Sequence, residues 1–190
     1  LTEDGPPAVL AGCMGATVRA FSARGEPLWT FEVPRYKHTG HVRTVFAADL
    51  SGDGTEAVIA GADSWRYYAI DARGKKLWHE ESVHRSTAGA AGDLNGDGRD
   101  EVVCGTEYYW WPVVGPEGER LFSYRTSTGP GVNDAVVADL TGDSTPEVVF
   151  GGQDGNVHTV SAQGKLLWKF NTGDEVTSLA TVEAADAETR

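Results

Sequence analysis

Cysteine, methionine and basic charge are all scarce in this chain of 190 residues, which has two Cys, one Met, and 16 Lys plus Arg against 28 Asp plus Glu. Two cysteines give no disulfide framework. Cys13 and Cys104 are flanked by apolar residues and read as buried free thiols. A formal charge of −12 argues against a general nucleic-acid backbone binder, which needs a basic surface. No apolar run approaches the ~18 residues of a membrane-spanning helix. Sustained 3.6-residue periodicity with caps is missing too, so helix content should be minimal. There is no G-x-S-x-G elbow, no H-E-x-x-H and no phosphate-binding Gly loop, which removes several common enzyme classes. No Cys/His cluster has the spacing of zinc ligands. The chain does not start with Met and reads as an excised piece, so the missing targeting segment says nothing about location.

Glycine, by contrast, is abundant at 24 residues, and its positions repeat. Four segments align without gaps, beginning at Ala8, Ala57, Glu101 and Glu147. In each, one Gly (Gly12, Gly61, Gly105, Gly151) is followed 13 residues later by another (Gly25, Gly74, Gly118, Gly164). Four residues further on stands a large aromatic: Trp29, Trp78, Phe122, Trp168. Each repeat reads as four short strands, A to D, with the second Gly supplying the positive φ that a C–D hairpin turn needs. Four-stranded units at a period of ~40–50 residues are the blades of an all-β propeller. The expected blades are 1–41, 42–87, 88–131 and 132–175, with 176–190 a closing strand that completes the first. Three arrangements stay open: a small four-bladed ring, half of an eight-bladed ring completed by a second chain, or part of a larger ring. The periodic aromatics should pack between neighbouring blades.

Between strands A and B lie three acidic loops, DLSGDGTEA from Asp49, DLNGDGRDE from Asp93 and DLTGDSTPE from Asp139. Calcium takes six to eight oxygens, and alternate side chains of a tight turn can converge on one point. In the second loop the donors are Asp93, Asn95, Asp97 and Glu101, with the Arg99 carbonyl. In the third they are Asp139, Thr141, Asp143 and Glu147, with the Thr145 carbonyl. The first offers Asp49, Ser51, Asp53 and the Thr55 carbonyl, but has Ala57 in the ninth place. The third has Ser144 where a Gly is expected. A metal-free reading makes all three simple Asx turns.

These loops resemble the FG-GAP and VCBS repeats, whose motif D-x-[ND]-G-D-G-x-x-[DE] implies Ca2+ between strands A and B. The Gly-x-x-Leu-Trp half of each repeat is similar to quinoprotein-type propeller repeats. The resemblance implies a calcium-stabilised module, extracellular, periplasmic or at the cell surface, with the second loop its strongest site.

The B–C and D–A connections, on the opposite face, gather aromatic and basic groups: Trp65, Tyr109, Trp110, Arg35, His38, His84 and Arg85. Such a face stacks sugar rings and forks carboxylates or sulfates, so a glycan or protein ligand is expected there. A homodimer, or ring completion by another chain, is the other expected partnership. Two alternatives remain: a polysaccharide lyase using His38, His41, His84 and Arg85, or another carbohydrate-active propeller enzyme, and a purely structural self-assembling repeat. No enzyme activity is expected, since the strong carboxylate groups are committed to the acidic loops.

Overall fold

The computed structural model describes residues 7–108, 110–125 and 131–182. Among them are fifteen strands and no helix. Each repeat is one antiparallel sheet whose strands pair in chain order. The first sheet holds β1 (Ala8–Cys13), β2 (Thr17–Ser22) and β3 (Pro27–Glu32). The second holds β4 (Val42–Ala48), β5 (Ala57–Ala62), β6 (Arg66–Ile70) and β7 (Lys76–Glu81). The third holds β8 (Ser86–Gly92), β9 (Glu101–Thr106), β10 (Trp110–Val114) and β11 (Arg120–Arg125). The fourth holds β12 (Val132–Ala138), β13 (Glu147–Gly152), β14 (Asn156–Val160) and β15 (Leu166–Asn171). The architecture is that of a propeller, as the repeat implies.

Both faces of the middle sheets are apolar, and strand alternation sends neighbouring residues to different seams. Val58 and Tyr68 pack with Val18 of the first sheet and with Val33, which follows it. Ile59 and Tyr67 pack with Val102 and Cys104 of the third. Val103 and Trp111 in turn meet Val148 and Phe150 of the fourth. The core is therefore three seams between consecutive sheets. The outer-strand aromatics seal them. Trp29 Nε1 donates to the Ala72 carbonyl at 3.0 Å, and Trp78 Nε1 to the Pro116 carbonyl at 2.8 Å. Each indole lies on the turn glycine of the next sheet, where a Cβ on Gly74 would meet Trp29 at 3.0 Å and one on Gly118 would meet Trp78 at 2.8 Å.

Both cysteines are free; Cys104 is buried and Cys13 half-buried. The expected closing strand over 176–190 is not formed where it can be seen. Residues 176–182 have no strand pairing, and the first sheet has only three strands. Instead this segment leans on the fourth sheet. Val176 N donates to the Gly152 carbonyl at 3.1 Å, Asn133 Nδ2 donates to the Val176 carbonyl at 2.8 Å, and Leu179 N donates to Asp134 at 2.7 Å. Residues 183–190 lie outside the described residues.

Candidate functional site

The acidic loops are built by their own first residue. Asp93 accepts from the amides of Gly96 (2.7 Å), Asp97 (3.1 Å) and Gly98 (2.8 Å), so one carboxylate folds the whole turn. Asp139 does the same for Gly142 and Ser144, at 2.7 and 2.9 Å. Asp49 does it for Gly52 and Gly54, both at 2.8 Å. Burial alone pushes the Asp93 carboxyl up, but these amides outweigh it and hold the group below the usual range. For Asp139, the Ser144 amide leads the same downward shift.

Alternate side chains converge in the first loop. In the first loop Ser51 Oγ lies 3.2 Å from Asp49 Oδ1 and 2.7 Å from Asp53 Oδ1. In the second, Asn95 Oδ1 accepts the Asp97 amide at 2.9 Å and Asp97 Oδ1 accepts the Arg99 amide at 2.9 Å. Thr145 N makes the corresponding bond to Asp143, at 2.9 Å. The ninth-position acids turn back across the loop. Glu101, buried, accepts from Leu94 N at 2.8 Å and Asn95 Nδ2 at 2.9 Å. Glu147 accepts from Leu140 N at 2.9 Å. Burial pushes Glu101 up, and the neighbouring Asp97, Asp93 and Asp100 add to the shift.

Among the described residues no three His, Cys, Asp or Glu side chains are grouped to hold a metal ion by themselves. A cation here would need amide, hydroxyl and carbonyl oxygens as well, and Asn95, Thr141, Ser51 and the loop carbonyls supply that chemistry. The donor set is all oxygen and fits a hard cation.

Asp100, which sequence reasoning passed over, ties two loops together. Its carboxylate accepts the Asp49 amide and its own amide donates to the Asp49 carbonyl, both at 2.8 Å. Arg99 adds to this link through its side chain, which donates to the Leu50 carbonyl at 2.8 Å and to Glu117 at 2.6 Å. Only the spatial adjacency of repeats could reveal either role.

On the opposite face four rings run in series across three repeats. Tyr36 stacks on Trp65 at 5.2 Å between centroids, Trp65 leans on His84 at 5.9 Å, and His84 stacks on Tyr108 at 4.5 Å. Tyr36, Trp65 and Tyr108 are all exposed. Beside this stripe lies an open cavity of about 490 Å³ lined by Val83, His84, Tyr108, Trp110, Arg120, Ser123 and Arg125. The Arg120 guanidinium sits 4.7 Å from the centre of the Trp110 ring while paired with Glu80.

The stripe is held at a conformational cost. Trp65 has φ 64° and Val83 φ 65°, in the left-handed region that bulky and β-branched residues avoid. The fourth repeat has Gly155 and Gly173 in the corresponding places, with φ of 68° and 82°. Strain of this kind clusters at binding sites.

Of the residues singled out on this face, Trp65, His84 and Trp110 belong to the stripe and its cavity. Arg85 approaches Glu107 at 3.8 Å on their border. Arg35 instead donates to the Gly15 carbonyl at 2.9 Å, tying its loop to the first sheet. His38 is exposed and has no hydrogen bond or ion pair among the described residues. Tyr109 lies outside them. Arg120 and Arg125 were missed because they sit on an outer strand, where alternation alone predicts solvated charge.

Residues 86–109 match the FG-GAP repeat, and residues 113–189 match the β-propeller domain of lambda-carrageenase. The repeat match takes in the second of the three acidic loops. No curated protein matches it in sequence. The crystal structure of the V. cholerae biofilm matrix protein Bap1 is similar with a TM-score of 0.70 and 19% identity, over 93% of this chain and 28% of Bap1. A protein of unknown function from Bacteroides caccae is similar with a TM-score of 0.61 and 14% identity, over 94% of this chain and 63% of that one. The chain thus spans less than two thirds of either. These likenesses establish the propeller fold. Repeats of this kind point to a non-catalytic module. Of the histidines singled out for a lyase, His41 faces Asp63 at 3.3 Å and His84 lies among rings.

Proposed function

We propose that the chain is a calcium-stabilised binding module that holds an anionic glycan on the Tyr36–Trp65–His84–Tyr108 stripe. The single observation behind this reading is that stripe: four rings in line, three of them exposed and His84 half-buried, flanked by Arg120 and Arg125 at the same cavity. Sugar rings present C–H faces that pack on aromatic planes, and guanidinium forks bind sulfate or carboxylate. A protein that is strongly acidic overall gains selectivity for such a ligand by gathering cations at one place. The carrageenase name attached to the matching domain supports a polysaccharide rather than a protein as ligand.

Calcium acts on the other face as a fastener, binding folded loops that the unfolded chain cannot preform. Such loops are suited to the millimolar calcium found outside cells, so this reading places the module in extracellular or cell-surface surroundings.

The test is titration of lambda-carrageenan, with uncharged dextran as control, followed by Trp fluorescence and calorimetry. Binding of the sulfated polymer alone is expected, weakened at least about tenfold by Trp65→Ala, consistent with loss of one stacking ring. Equal binding of both polymers, or none of either, overturns the proposal.

A further inference from the structure

The acidic-loop face carries a second cavity, and it lies where the repeats differ by one residue. The second and third loops end on Glu101 and Glu147, buried acids that turn back across their own loops to accept from Leu94 N and Leu140 N. The first loop ends on Ala57, which has no carboxylate to turn back. There the seam between the second and third sheets opens into a cavity of about 390 Å³. Leu50, Ala57 and Trp78, all members of that seam, line it together with Leu77 of β7, which is 49% exposed.

The walls are fixed before any ligand arrives. The Trp78 indole is pinned by its bond to the Pro116 carbonyl. Arg99 closes one side, its Nε donating to the Leu50 carbonyl at 2.8 Å and its Nη2 to Glu117 at 2.6 Å. Three carboxylates stand on this lining against that one guanidinium: Glu56, Asp71 and Glu117. Glu56 makes no hydrogen bond or ion pair among the described residues. Asp71 Oδ1 accepts from the amides of Arg73 and Lys75 at 2.9 and 2.8 Å, and its Oδ2 accepts none among the described residues. Asp49 and Asp53 of the adjoining loop, and a formal charge of −12 on the whole chain, deepen the negative field. Acceptors are thus in surplus, and the guanidinium is already engaged.

We propose that this cavity seats an arginine side chain of a partner polypeptide. The apolar wall of Leu50, Ala57, Leu77 and Trp78 takes the methylene stem, and the carboxylates of Glu56, Asp71 and Glu117 take the head. Arginine suits the place better than lysine, because its planar fork of N–H donors serves several carboxylates at once and its plane stacks on an indole. A cation held by exposed acids alone gains little. A concave apolar wall that covers the stem, with acids at its rim, turns that weak attraction into a specific one. The cavity and the ring stripe lie on opposite faces, so a polypeptide here and a glycan there can be held at once.

The experiment titrates the 190-residue chain with the blocked peptide acetyl-Arg-Gly-Arg-amide, and with the same peptide carrying citrulline, which keeps the shape and loses the charge. Calorimetry reads the affinity. The arginine peptide is expected to bind, and the citrulline peptide to bind at least about tenfold more weakly. Glu56→Gln with Glu117→Gln should weaken the arginine peptide at least about fivefold. Glu26→Gln with Glu32→Gln removes the same charge from the first sheet and should change binding by less than about twofold at physiological salt. Leu77→Arg, which sets one of the chain's own guanidinium groups in the cavity from an exposed position, should abolish binding. Equal binding of the two peptides, equal loss from the two double variants, or no binding at all overturns the proposal. Self-association of the wild-type chain that Leu77→Arg abolishes would give the cavity to a second copy, and overturns it too. No glycan enters these measurements, so failure here leaves the ligand reading of the other face standing.

Discussion

The indole nitrogen of Trp78 donates to the carbonyl of Pro116 at 2.8 Å, so the outer strand of one sheet is latched to the turn of the next. The ring also covers Gly118, whose φ of 90° leaves no room for a side chain. Trp78→Ala should therefore cost about 2–4 kcal/mol, part cavity and part an unpaired carbonyl. The same change at Trp168, which is 47% exposed and has no following sheet among the described residues, should cost within about 1 kcal/mol. Chemical denaturation of the two variants gives the comparison, and equal losses would contradict the latch.

Calcium should raise the melting temperature, and a chelator should reverse the change. Saturation at a hundredfold excess over Kd contributes ~2.7 kcal/mol per site. Asp93→Asn should remove the largest share, Asp139→Asn less, and Asp49→Asn least, because Ala57 leaves the first loop without a ninth-position acid. Differential scanning calorimetry with calcium, with magnesium and with chelator reads this directly. An unchanged transition in all three removes calcium from the account.

The repeat and its strands were legible because each position carries a mechanical demand: a glycine where φ is positive, an aromatic where two sheets meet. The acidic loops were legible for the same reason, since Asp93 and Asp97 stand at places fixed by the turn. The ring stripe was only half legible. Trp65 and His84 stand out by composition, but their meeting with Tyr36 and Tyr108 depends on how three separate sheets stack. Asp100 and Arg120 were hidden because both act across a seam, and no local pattern distinguishes them from solvated charge. The segment expected to complete the first sheet instead has Val176 against Gly151 of the fourth, because residue pattern does not encode which sheet a segment lies against.

Asp63 makes stability acid-sensitive. It is buried, and both its oxygens accept from Arg43, at 2.7 and 2.8 Å, with His41 at 3.3 Å. Burial pushes the carboxyl up, but the Arg43 bonds and charge, aided by Arg85 and His41, outweigh it and hold the group below its ordinary range. A carboxylate with a depressed folded pKa contributes stability that is present above the unfolded value of ~3.9 and lost as pH falls through the folded one. Asp63→Asn should cost about 1–3 kcal/mol at neutral pH and flatten the acid limb of the melting curve. A wild-type limb retained in the variant would assign that acid sensitivity elsewhere.

Val83 tests whether strain serves the binding face. Its φ of 65° is costly for a β-branched residue, and the fourth repeat uses Gly173 in the same place. Val83→Gly should relieve the backbone, with a net gain of up to ~1 kcal/mol after the added freedom of the unfolded glycine is subtracted. Yet Val83 also lines the cavity next to His84 and Tyr108, so the same change should loosen the stripe. The expected outcome is a higher melting temperature together with weaker polysaccharide binding. A variant that is more stable and binds equally well would mean that the strain at this corner has no part in holding the ligand.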